Sequence, residues 1–326
     1  MKRSILFAVL AFSLALLLPW FVYRRMIPPP EEASSASSEP EDEVSADRRD
    51  ADILLTVLSD GVPSEMTMAE YLPGVLAGEM PADFPEEAQR AQAVAARTYA
   101  LYQQSHRKSA HADADLCDDP ACCQVWLDTD EAEARWGEKS DLFASAAADT
   151  DGLILLYEEE PILACFHASS DEHTESSAAL WGKAYPYLVS VDSPETEADV
   201  PNFRSTVEVS PEDFREVMMA AVPDADFSAL PPDWLGERTE DTAGRVTSMR
   251  IGGTSVSGTQ LRSLFSLRSA DFTLEWTGHS FLFTVMGSGH GVGMSQYGAE
   301  VMAREGATWR EIVEHYYPGA EIGYYS

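Results

Sequence analysis

The sequence predicts an α+β fold, in which mixed helices and β-strands form one two-lobed domain over residues 51–326, preceded by a single N-terminal transmembrane helix. Three observations lead to this prediction. A long apolar run lies near the amino terminus, an alanine-rich segment has the spacing of a helix, and short β-rich runs lie between turn residues. With 326 residues, 45% of them hydrophobic, the chain can bury a sizeable core.

The amino-terminal segment predicts a membrane anchor at residues 4–24 and a disordered linker at residues 25–50. The apolar run is long enough to cross a bilayer and has two basic residues on each side. Because both ends are basic, their charge alone does not fix the orientation. The run ends in bulky aromatic residues, which favours an uncleaved anchor over a signal peptide. The linker is rich in proline, serine and acidic residues and is too polar to pack.

Strands are predicted where β-branched and aromatic residues lie between turn residues. The acidic turn at Glu158-Glu159-Glu160 predicts a hairpin that delivers His167 to its end. Residues 194–243 are acidic and contain several prolines, so we interpret them as a variable insertion. The predicted strands are residues 53–58, 153–157, 162–167, 246–251, 272–276 and 281–285.

The strongest helix prediction begins near residue 84 and covers the alanine-rich segment to residue 102. Asp83 suits a capping box, and Pro85 suits the first turn. The spacing of Arg90 and Arg97 predicts that both arginines lie on one face. Further helices are predicted at residues 210–221 and 260–265, and from a capping box at Thr308 to about residue 317.

The charge of the chain restricts its partners. Asp and Glu number 55 against 22 Lys and Arg, which gives a formal net charge of -33. This charge argues against a nucleic-acid partner and against binding to an anionic membrane surface. An anionic ligand would therefore need local cations in its groove, for which Arg97, Lys183 and Arg262 are the candidates.

One carboxylate, Glu79, has an unusual local context. Gly74 and Gly78 precede it and permit close backbone approach and unusual dihedrals, while Pro81 restricts the chain after it. The same segment also suits a capped surface helix with ion pairs. The residues alone leave both interpretations open.

Three of the four cysteines fall within seven residues, and a histidine precedes them, so this segment is a candidate metal site. Thiolates and imidazole suit tetrahedral zinc, although the spacing departs from the usual CxxC pattern. A disulfide within the segment is the alternative, and the residues leave both open. Cys165, inside an apolar run, is predicted to be a buried core residue. The candidate ligands are His111, Cys117, Cys122 and Cys123.

Two more clusters combine polar residues with aromatic residues or glycines. Carbohydrate clefts use hydroxyl and imidazole donors beside aromatic faces, and residues 166–188 contain all three kinds of group. The aromatic residues Trp181, Tyr185 and Tyr187 equally suit a core. Residues 287–299 are rich in glycine but lack the Lys-Ser/Thr of a P-loop, so they do not indicate nucleotide binding.

Four segments together resemble the stage II sporulation protein D family, across most of residues 52–326. The resemblance implies a membrane-anchored lytic transglycosylase of endospore-forming bacteria, with amidase-enhancer proteins among its relatives. It implies that Glu79 is the catalytic acid/base and that Arg97 is needed for activity. It also implies that the domain lies outside the cytoplasm, with residues 1–3 inside. The resembling segments are residues 71–99, 115–126, 166–188 and 287–299.

The resemblance also implies a ligand set. Clostridial members bind zinc through two cysteines and two histidines that match the four candidate ligands above, with Cys122 standing where they have histidine. Four protein ligands close such a site, which favours a structural or positioning ion. Asp171-Glu172 replace two glycines found in most members. The residues expected to bind substrate are Arg97, His167, Ser169, Ser170, Lys183, Tyr185, His290 and Gln296.

The expected mechanism follows from the number of carboxylates. Ordinary glycosidases use two, and no second one stands out in any motif. Glu79 is therefore expected to protonate the oxygen between N-acetylmuramic acid and N-acetylglucosamine and then to activate the sugar's own 6-hydroxyl, which gives a 1,6-anhydro end. Burial among apolar neighbours would keep its proton near neutral pH.

Two other classes remain open. One is a hydrolase, either a zinc amidase or a muramidase that uses Glu79 with Glu175. The other is a non-catalytic module that binds the wall or stimulates an amidase. The resemblance implies as partners the peptidoglycan glycan strands, stripped of peptides, together with a peptide-stripping amidase and a membrane scaffold protein during forespore engulfment.

Overall fold

The computed structural model describes residues 47–111, 113–241 and 243–325. The predicted anchor and nearly all of the predicted linker lie outside these residues. Within the described part, no helix is long and apolar enough to cross a membrane. The chain from Asp47 onward forms one compact unit.

Helices and strands alternate irregularly in this unit, which confirms the α+β class. The helices are α1 (Met68–Glu79), α2 (Glu86–Ser105), α3 (Thr129–Trp136), α4 (Ser140–Asp149), α5 (Ser177–Trp181), α6 (Pro211–Ala221), α7 (Gly258–Leu264), α8 (Gln296–Arg304) and α9 (Trp309–Tyr316). The strands are β1 (Leu54–Ser59), β2 (Val62–Thr67), β3 (Leu116–Cys117), β4 (Leu153–Tyr157), β5 (Glu160–Pro161), β6 (Phe166–His167), β7 (Arg204–Val209), β8 (Leu235–Glu240), β9 (Val246–Ile251), β10 (Thr254–Ser257), β11 (Phe272–Trp276), β12 (Phe281–Met286), β13 (Met294–Ser295) and β14 (Glu321–Tyr324).

Several predicted elements form with the expected boundaries. Strands β4, β9 and β11 match their predicted bounds, and the Ser210 and Thr308 side chains cap α6 and α9 as expected. The acidic turn also forms, with Glu158 and Glu159 at φ angles of 52° and 68°. The second strand of that hairpin is only β5. The chain then leaves the hairpin, because β6 pairs in parallel with β13 instead.

A first hydrophobic cluster surrounds α2, which contacts α1, α4, α8, α9 and strand β4. Alanine explains how one helix accommodates so many neighbours, since its short side chain allows helix axes to approach closely. Sheets β2-β1-β3 and β14-β4-β5 contribute Leu55 and Ile154 to the same cluster. The fully buried small residues of α2 include Ala88, Ala91, Ala93, Val94, Ala95 and Ala96.

A second hydrophobic cluster joins sheets β11-β12-β7 and β10-β9-β8 to α6 and α7. Phe214 of α6 stacks on Phe281 of β12 with ring centroids 4.2 Å apart, and Trp234 stacks on the same Phe281 at 5.5 Å. Residues 194–243, interpreted as an insertion, supply β7, α6 and β8 to this cluster. They are therefore part of a core, because their apolar residues alternate on the buried faces.

The segment before Glu79 is helical rather than a pair of glycine turns. Thr67 and Glu70 form a reciprocal capping box that starts α1. Gly74 and Gly78 lie inside this helix, so the unusual dihedrals expected for them are wrong. Close backbone approach, the other expectation, is correct and is described with the site below.

The start of α2 also differs from its prediction. Pro85 is the N-cap residue and no side chain caps the helix. The capping box predicted at Asp83 does not form, because the Asp83 carboxylate pairs with Lys139. A proline at the N-cap preserves the helix start, since its ring fixes φ without needing a hydrogen bond.

The guanidinium of Arg97 is fully buried in the first cluster. It donates to both carboxylate oxygens of Asp50, at 2.6 and 2.7 Å. It also donates to Thr150 Oγ1 and to the carbonyl oxygens of Ala147 and Leu153, so all five of its N–H groups are used inside the protein. The substrate-binding role predicted for Arg97 is therefore corrected to a structural one.

The ion pair between Arg97 and Asp50 belongs to a folded domain that begins earlier in the chain than predicted. Asp50 was expected to end a disordered linker, but it is only 4% exposed and begins a short 3-10 helix. Its N–H donates to Asp151, and the N–H of Arg48 donates to the carbonyl of Tyr325. The fold therefore includes the last residues assigned to the linker.

Arg97→Met should destabilise the protein strongly, because it leaves the Asp50 charge buried without a partner. We expect a loss of about 3–5 kcal/mol in the free energy of unfolding, measured with urea. Arg90→Met is the matched control on the same helix. Arg90 pairs with Glu86 and Asp149 at the surface, so its loss should cost about 1 kcal/mol or less.

The double variant Asp50→Asn/Arg97→Met removes both charges and should recover part of the stability lost in the single variant. An Arg97→Met protein as stable as the unchanged chain, with weakened glycan binding, would restore the substrate-binding role instead.

Candidate active-site groove and metal cluster

A groove of about 820 Å³ opens beside the carboxyl end of α1. Among the described residues, Glu79 is the only carboxylate that lines it. Two lysines and one arginine also line it. The polar and aromatic lining residues are Glu79, Tyr99, Tyr102, Gln103, His106, Lys108, Gln124, His167, Trp181, Lys183, Tyr185, Arg262 and His290.

Glu79 is held at both its side chain and its backbone. The Val125 N–H donates to Glu79 Oε1 at 2.7 Å, and the Gln296 side-chain amide donates to the Glu79 carbonyl at 3.2 Å. Burial raises the pKa of Glu79 to about 6, against the smaller opposite effects of the Val125 hydrogen bond and the Arg135 charge. The expected burial of a catalytic acid is thus present, and the carboxyl keeps a proton to higher pH than an ordinary glutamate.

The glycines of α1 make the contact with Val125 possible. A Cβ on Gly78 would lie 2.8 Å from Val125 Cγ1 and 2.9 Å from the Val125 carbonyl oxygen. A Cβ on Gly74 would overlap the carbonyl oxygen of Leu127. The N–H of Leu127 donates to the Gly74 carbonyl at 3.2 Å. Residues 125–127 can therefore lie directly on the helix that carries Glu79.

The segment that precedes Val125 contains a cluster able to hold a metal ion. Its four side chains each offer one ligand atom, and all four atoms lie within 4.8 Å of one another. The three cysteines are free thiols. The two neighbouring Sγ atoms lie 3.9 Å apart, close to the roughly 3.8 Å expected for two thiolates on one tetrahedral zinc. The cluster consists of His111, Cys117, Cys122 and Cys123.

The histidine of this cluster is oriented as a ligand. His111 Nδ1 lies 3.1 Å from the Ala114 carbonyl oxygen, which only a protonated Nδ1 can bond. The other nitrogen, Nε2, is then unprotonated and lies 3.3 Å from Cys123 Sγ. A backbone carbonyl that fixes the tautomer in this way is typical of metal-binding histidines.

His167 lies at the end of β6 and is neutral. Burial is the main reason that the pKa of His167 lies well below its usual value. Its Nδ1–H donates to the Val292 carbonyl at 3.3 Å, so Nε2 accepts the Ser170 hydroxyl at 2.7 Å. Arg245 in turn donates to Ser170 Oγ at 3.4 Å. Three side chains from two segments, together with the Val292 carbonyl, thus form one hydrogen-bonded chain at the groove.

His290 forms part of the opposite wall. Its ring lies 5.7 Å from the His167 ring and 6.0 Å from Trp181. Burial and the nearby charges of Arg262 and Arg245 lower the pKa of His290 to about 4. Its Nδ1 accepts the backbone N–H of Val292 at 3.0 Å. Near neutral pH this imidazole is uncharged and does not supply a cation to the groove.

Comparison with known proteins now places these features in a family. A family model described as "Stage II sporulation protein" matches residues 61–157. Stage II sporulation protein D of Bacillus subtilis (strain 168) is 37% identical over 261 residues, which cover 78% of this chain and 74% of that protein. The chain belongs to the stage II sporulation protein D family. The resemblance seen in the sequence motifs is confirmed.

Two other relatives extend the comparison. Stage II sporulation protein D of Bacillus amyloliquefaciens is 36% identical over 261 residues, or 78% of this chain and 74% of that protein. A protein named amidase enhancer, from Bacillus subtilis (strain 168), is 25% identical over 304 residues, or 78% of this chain and 40% of that protein. Membership of the sporulation family is therefore supported across most of the described chain.

Some of the residues predicted to form the site line the groove, and others do not. Glu79 lines it together with His167, Lys183, Tyr185 and His290. Those that do not line it are Arg97, Ser169, Ser170 and Gln296.

The substrate-binding roles expected for Ser169, Ser170 and Gln296 are corrected by their burial. Ser169 and Ser170 have no exposed surface, and the Ser170 N–H donates to Glu195 at 2.7 Å. Gln296 is 6% exposed and holds the Glu79 backbone. All three position the groove from behind.

The second carboxylate proposed for a muramidase does not reach the groove. Glu175 is only 3% exposed and does not line the cavity. Burial and a hydrogen bond with Asp241 raise the pKa of Glu175 to about 7. The departure from the family glycines nearby is accommodated, because Glu172 adopts the left-handed φ of 59° that a glycine would favour.

Sequence reasoning missed two contributors to this family's groove. Val125 acts through its backbone N–H, so no side-chain pattern identifies it. Arg245 lies under the glycine loop, where a Cβ on Gly291 would meet its guanidinium. A lone arginine in a strand-rich segment gives no signal of that position.

Glu79→Gln should stabilise the protein more at pH 7 than at pH 4. The folded protein binds the Glu79 proton more tightly than the unfolded chain does, because the folded pKa is about 6 and the ordinary value is 4.5. Ionisation therefore reduces stability as the pH rises from about 4.5 through about 6, and the reduction is constant above that range. Urea unfolding at both pH values should give a difference of about 2 kcal/mol.

Glu70→Gln on the same helix is the control. Hydrogen bonds from Thr67 lower the pKa of Glu70, so its replacement should reduce stability more at pH 7 than at pH 4. If the effect of Glu79→Gln is independent of pH, the raised pKa of Glu79 is wrong.

Proposed function

We propose that this protein is a lytic transglycosylase of the bacterial cell wall. It cleaves the bond between N-acetylmuramic acid and N-acetylglucosamine in peptidoglycan glycan strands and leaves 1,6-anhydro-N-acetylmuramic acid ends, in forespore engulfment during sporulation. The observation that carries this proposal is the groove in which Glu79 is the one lining carboxylate of the described part of the chain, and its pKa of about 6 suits a general acid near neutral pH.

One carboxyl group suffices if the substrate supplies the nucleophile. Protonated Glu79 donates its proton to the glycosidic oxygen as the bond from C1 to that oxygen breaks. The resulting carboxylate then takes the proton of the 6-hydroxyl of the same N-acetylmuramic acid, whose oxygen forms the new bond to C1. Glu79 ends in the protonated state in which it began, and no water is consumed.

The groove chemistry supports a glycan strand without peptides as the substrate. Trp181 is 44% exposed and Tyr185 lies beside it in the lining, so sugar rings have aromatic faces to pack on. Lys183 and Arg262 also line the groove. In a chain of net charge -33, such local cations are needed to attract the lactyl carboxylates that peptide removal exposes.

We propose that the His/Cys cluster binds zinc. Three thiolates and an imidazole suit this ion, and four protein ligands leave no position for an activated water. The ion would lock the segment from Cys117 to Cys123, which leads two residues later to the Val125 N–H on Glu79. A zinc amidase is disfavoured for the same reason, because the site is closed.

The location and partners are part of the proposal. The apolar run at residues 4–24 and the polar linker after it support a single-pass membrane anchor with the domain outside the cytoplasm. An enzyme that prefers stripped strands needs an amidase to remove the peptides first. We therefore propose that it acts beside a peptide-stripping amidase and a membrane scaffold protein.

A second candidate function has its own support. The similarity to a protein named amidase enhancer favours a module that binds the wall and stimulates an amidase without cleaving glycan. The position of Glu79 in a groove with a raised pKa is the argument against it, because binding alone does not require a protonated carboxyl.

Glu79→Gln should abolish the formation of anhydro ends from purified glycan strands, with a fall in rate of about 10²–10⁴-fold. Product masses, measured on strands with and without peptide stems, provide the readout. Activity of the unchanged protein should fall as the pH rises through about 6, since the acid must be protonated. Glu70→Gln, an exposed glutamate in the cap of the same helix, should retain activity.

Each other product identifies a different function. Hydrated reducing ends would show a muramidase, released peptides would show an amidase, and no cleavage together with stimulation of an added amidase would show the non-catalytic module.

Metal analysis of the purified chain should find about one zinc per molecule, a stoichiometry set by the four ligands of one closed site. A chelator should remove the ion, expose three reactive thiols and lower the free energy of unfolding, because the ion stabilises only the folded form. Cys165→Ser should leave the zinc content unchanged, since Cys165 lies in the hydrophobic core. Absence of zinc together with the loss of two free thiols would favour the disulfide.

A further inference from the structure

We propose that Lys108 is the charge partner of the metal cluster and is thereby withheld from substrate, although it lines the groove. The inference rests on the proposed zinc site. It assigns to one of the groove lysines a role in holding the metal-bound segment.

The charge of the cluster creates the need for such a partner. Zinc with three thiolates and a neutral imidazole carries a net charge of about −1. His111 and Cys117 are buried, and Cys122 and Cys123 are half-buried. A negative charge in partly buried surroundings is costly unless a cation or hydrogen-bond donors compensate it.

The Lys108 ammonium provides both. Its Nζ lies 3.7 Å from Cys123 Sγ, donates to the Tyr99 hydroxyl at 3.1 Å and donates to the Cys122 carbonyl. An ammonium has three N–H donors, and these three contacts use all of them. No donor is left for a ligand in the groove.

The local chain geometry couples this lysine to the cluster. Lys108 follows the end of α2 and precedes the 3-10 helix Ser109–His111. The His111 N–H donates to the Lys108 carbonyl at 3.2 Å. One turn of backbone therefore presents both the imidazole ligand and the compensating cation.

The other groove lysine is placed differently. Lys183 is exposed, and its Nζ donates to the Tyr185 hydroxyl at 2.8 Å and lies 4.4 Å from the centre of the Tyr185 ring. That single hydrogen bond leaves two N–H donors for a ligand. The two lysines of the groove thus serve different purposes, Lys108 toward the metal cluster and Lys183 toward the substrate.

The test is a double-mutant cycle between Lys108→Met and Cys122→His, with zinc affinity measured on the full chain by competition against a chelator of known affinity. Cys122→His makes the cluster electrically neutral. Lys108→Met should weaken zinc binding about 10–100-fold in the unchanged chain, and less than about 3-fold when Cys122 is histidine. Lys139→Met, which alters an exposed lysine paired with Asp83, should not change zinc affinity.

The possible results distinguish a failure of the role assigned to Lys108 from a failure of the zinc proposal. If the unchanged chain binds no zinc, the metal proposal fails and this inference fails with it. If the chain binds zinc and Lys108→Met leaves the affinity unchanged, only the role of Lys108 is overturned. An equal loss in both backgrounds would also overturn charge compensation, since a packing contact does not depend on the charge of the cluster. Circular dichroism of each variant confirms that the fold is retained.

Discussion

The packing of residues 125–127 on α1 is the contact on which the groove depends. Gly74 and Gly78 leave room for this segment, and its first N–H group then reaches the Glu79 carboxylate. Burial raises the pKa of Glu79 because it disfavours the charged form, and the Val125 hydrogen bond opposes this effect only in part. The metal cluster ends at Cys123, two residues before Val125. A displacement of the cluster would therefore also displace Val125 and its hydrogen bond to Glu79.

Burial distinguishes Glu79, which lines the groove, from Arg97, which holds the fold. Arg97 uses every N–H group inside the first hydrophobic cluster, whereas Glu79 receives one side-chain hydrogen bond and otherwise faces the groove. The two residues differ in what their replacement would change. Replacing Arg97 leaves the buried Asp50 unpaired and weakens the fold, while replacing Glu79 removes the one carboxylate that lines the groove among the described residues.

Two arginines from the part of the chain that forms the second hydrophobic cluster bring positive charge to the groove. Arg262 of α7 lines the cavity, and Arg245 lies behind it against the glycine loop. Burial, supported by the positive charges of these arginines, lowers the pKa of His167 and of His290, so both imidazoles are neutral near pH 7. These two imidazoles therefore add no positive charge to the groove, whereas Lys183 and Arg262 do. The groove therefore carries local positive charge in a chain whose formal net charge is -33.

The sequence by itself determined the α+β class, strands β1, β4, β9, β11 and β12, the family, and the candidate acid and metal ligands, because these depend on local patterns and on residue types with distinctive chemistry. Tertiary structure decided which of the marked residues meet. It buried Arg97 against Asp50, placed Ser170 behind His167, and put residues 194–243 into a core. It also brought the Val125 backbone to Glu79. Such contacts join residues far apart in the chain and depend on packing, which no local pattern records.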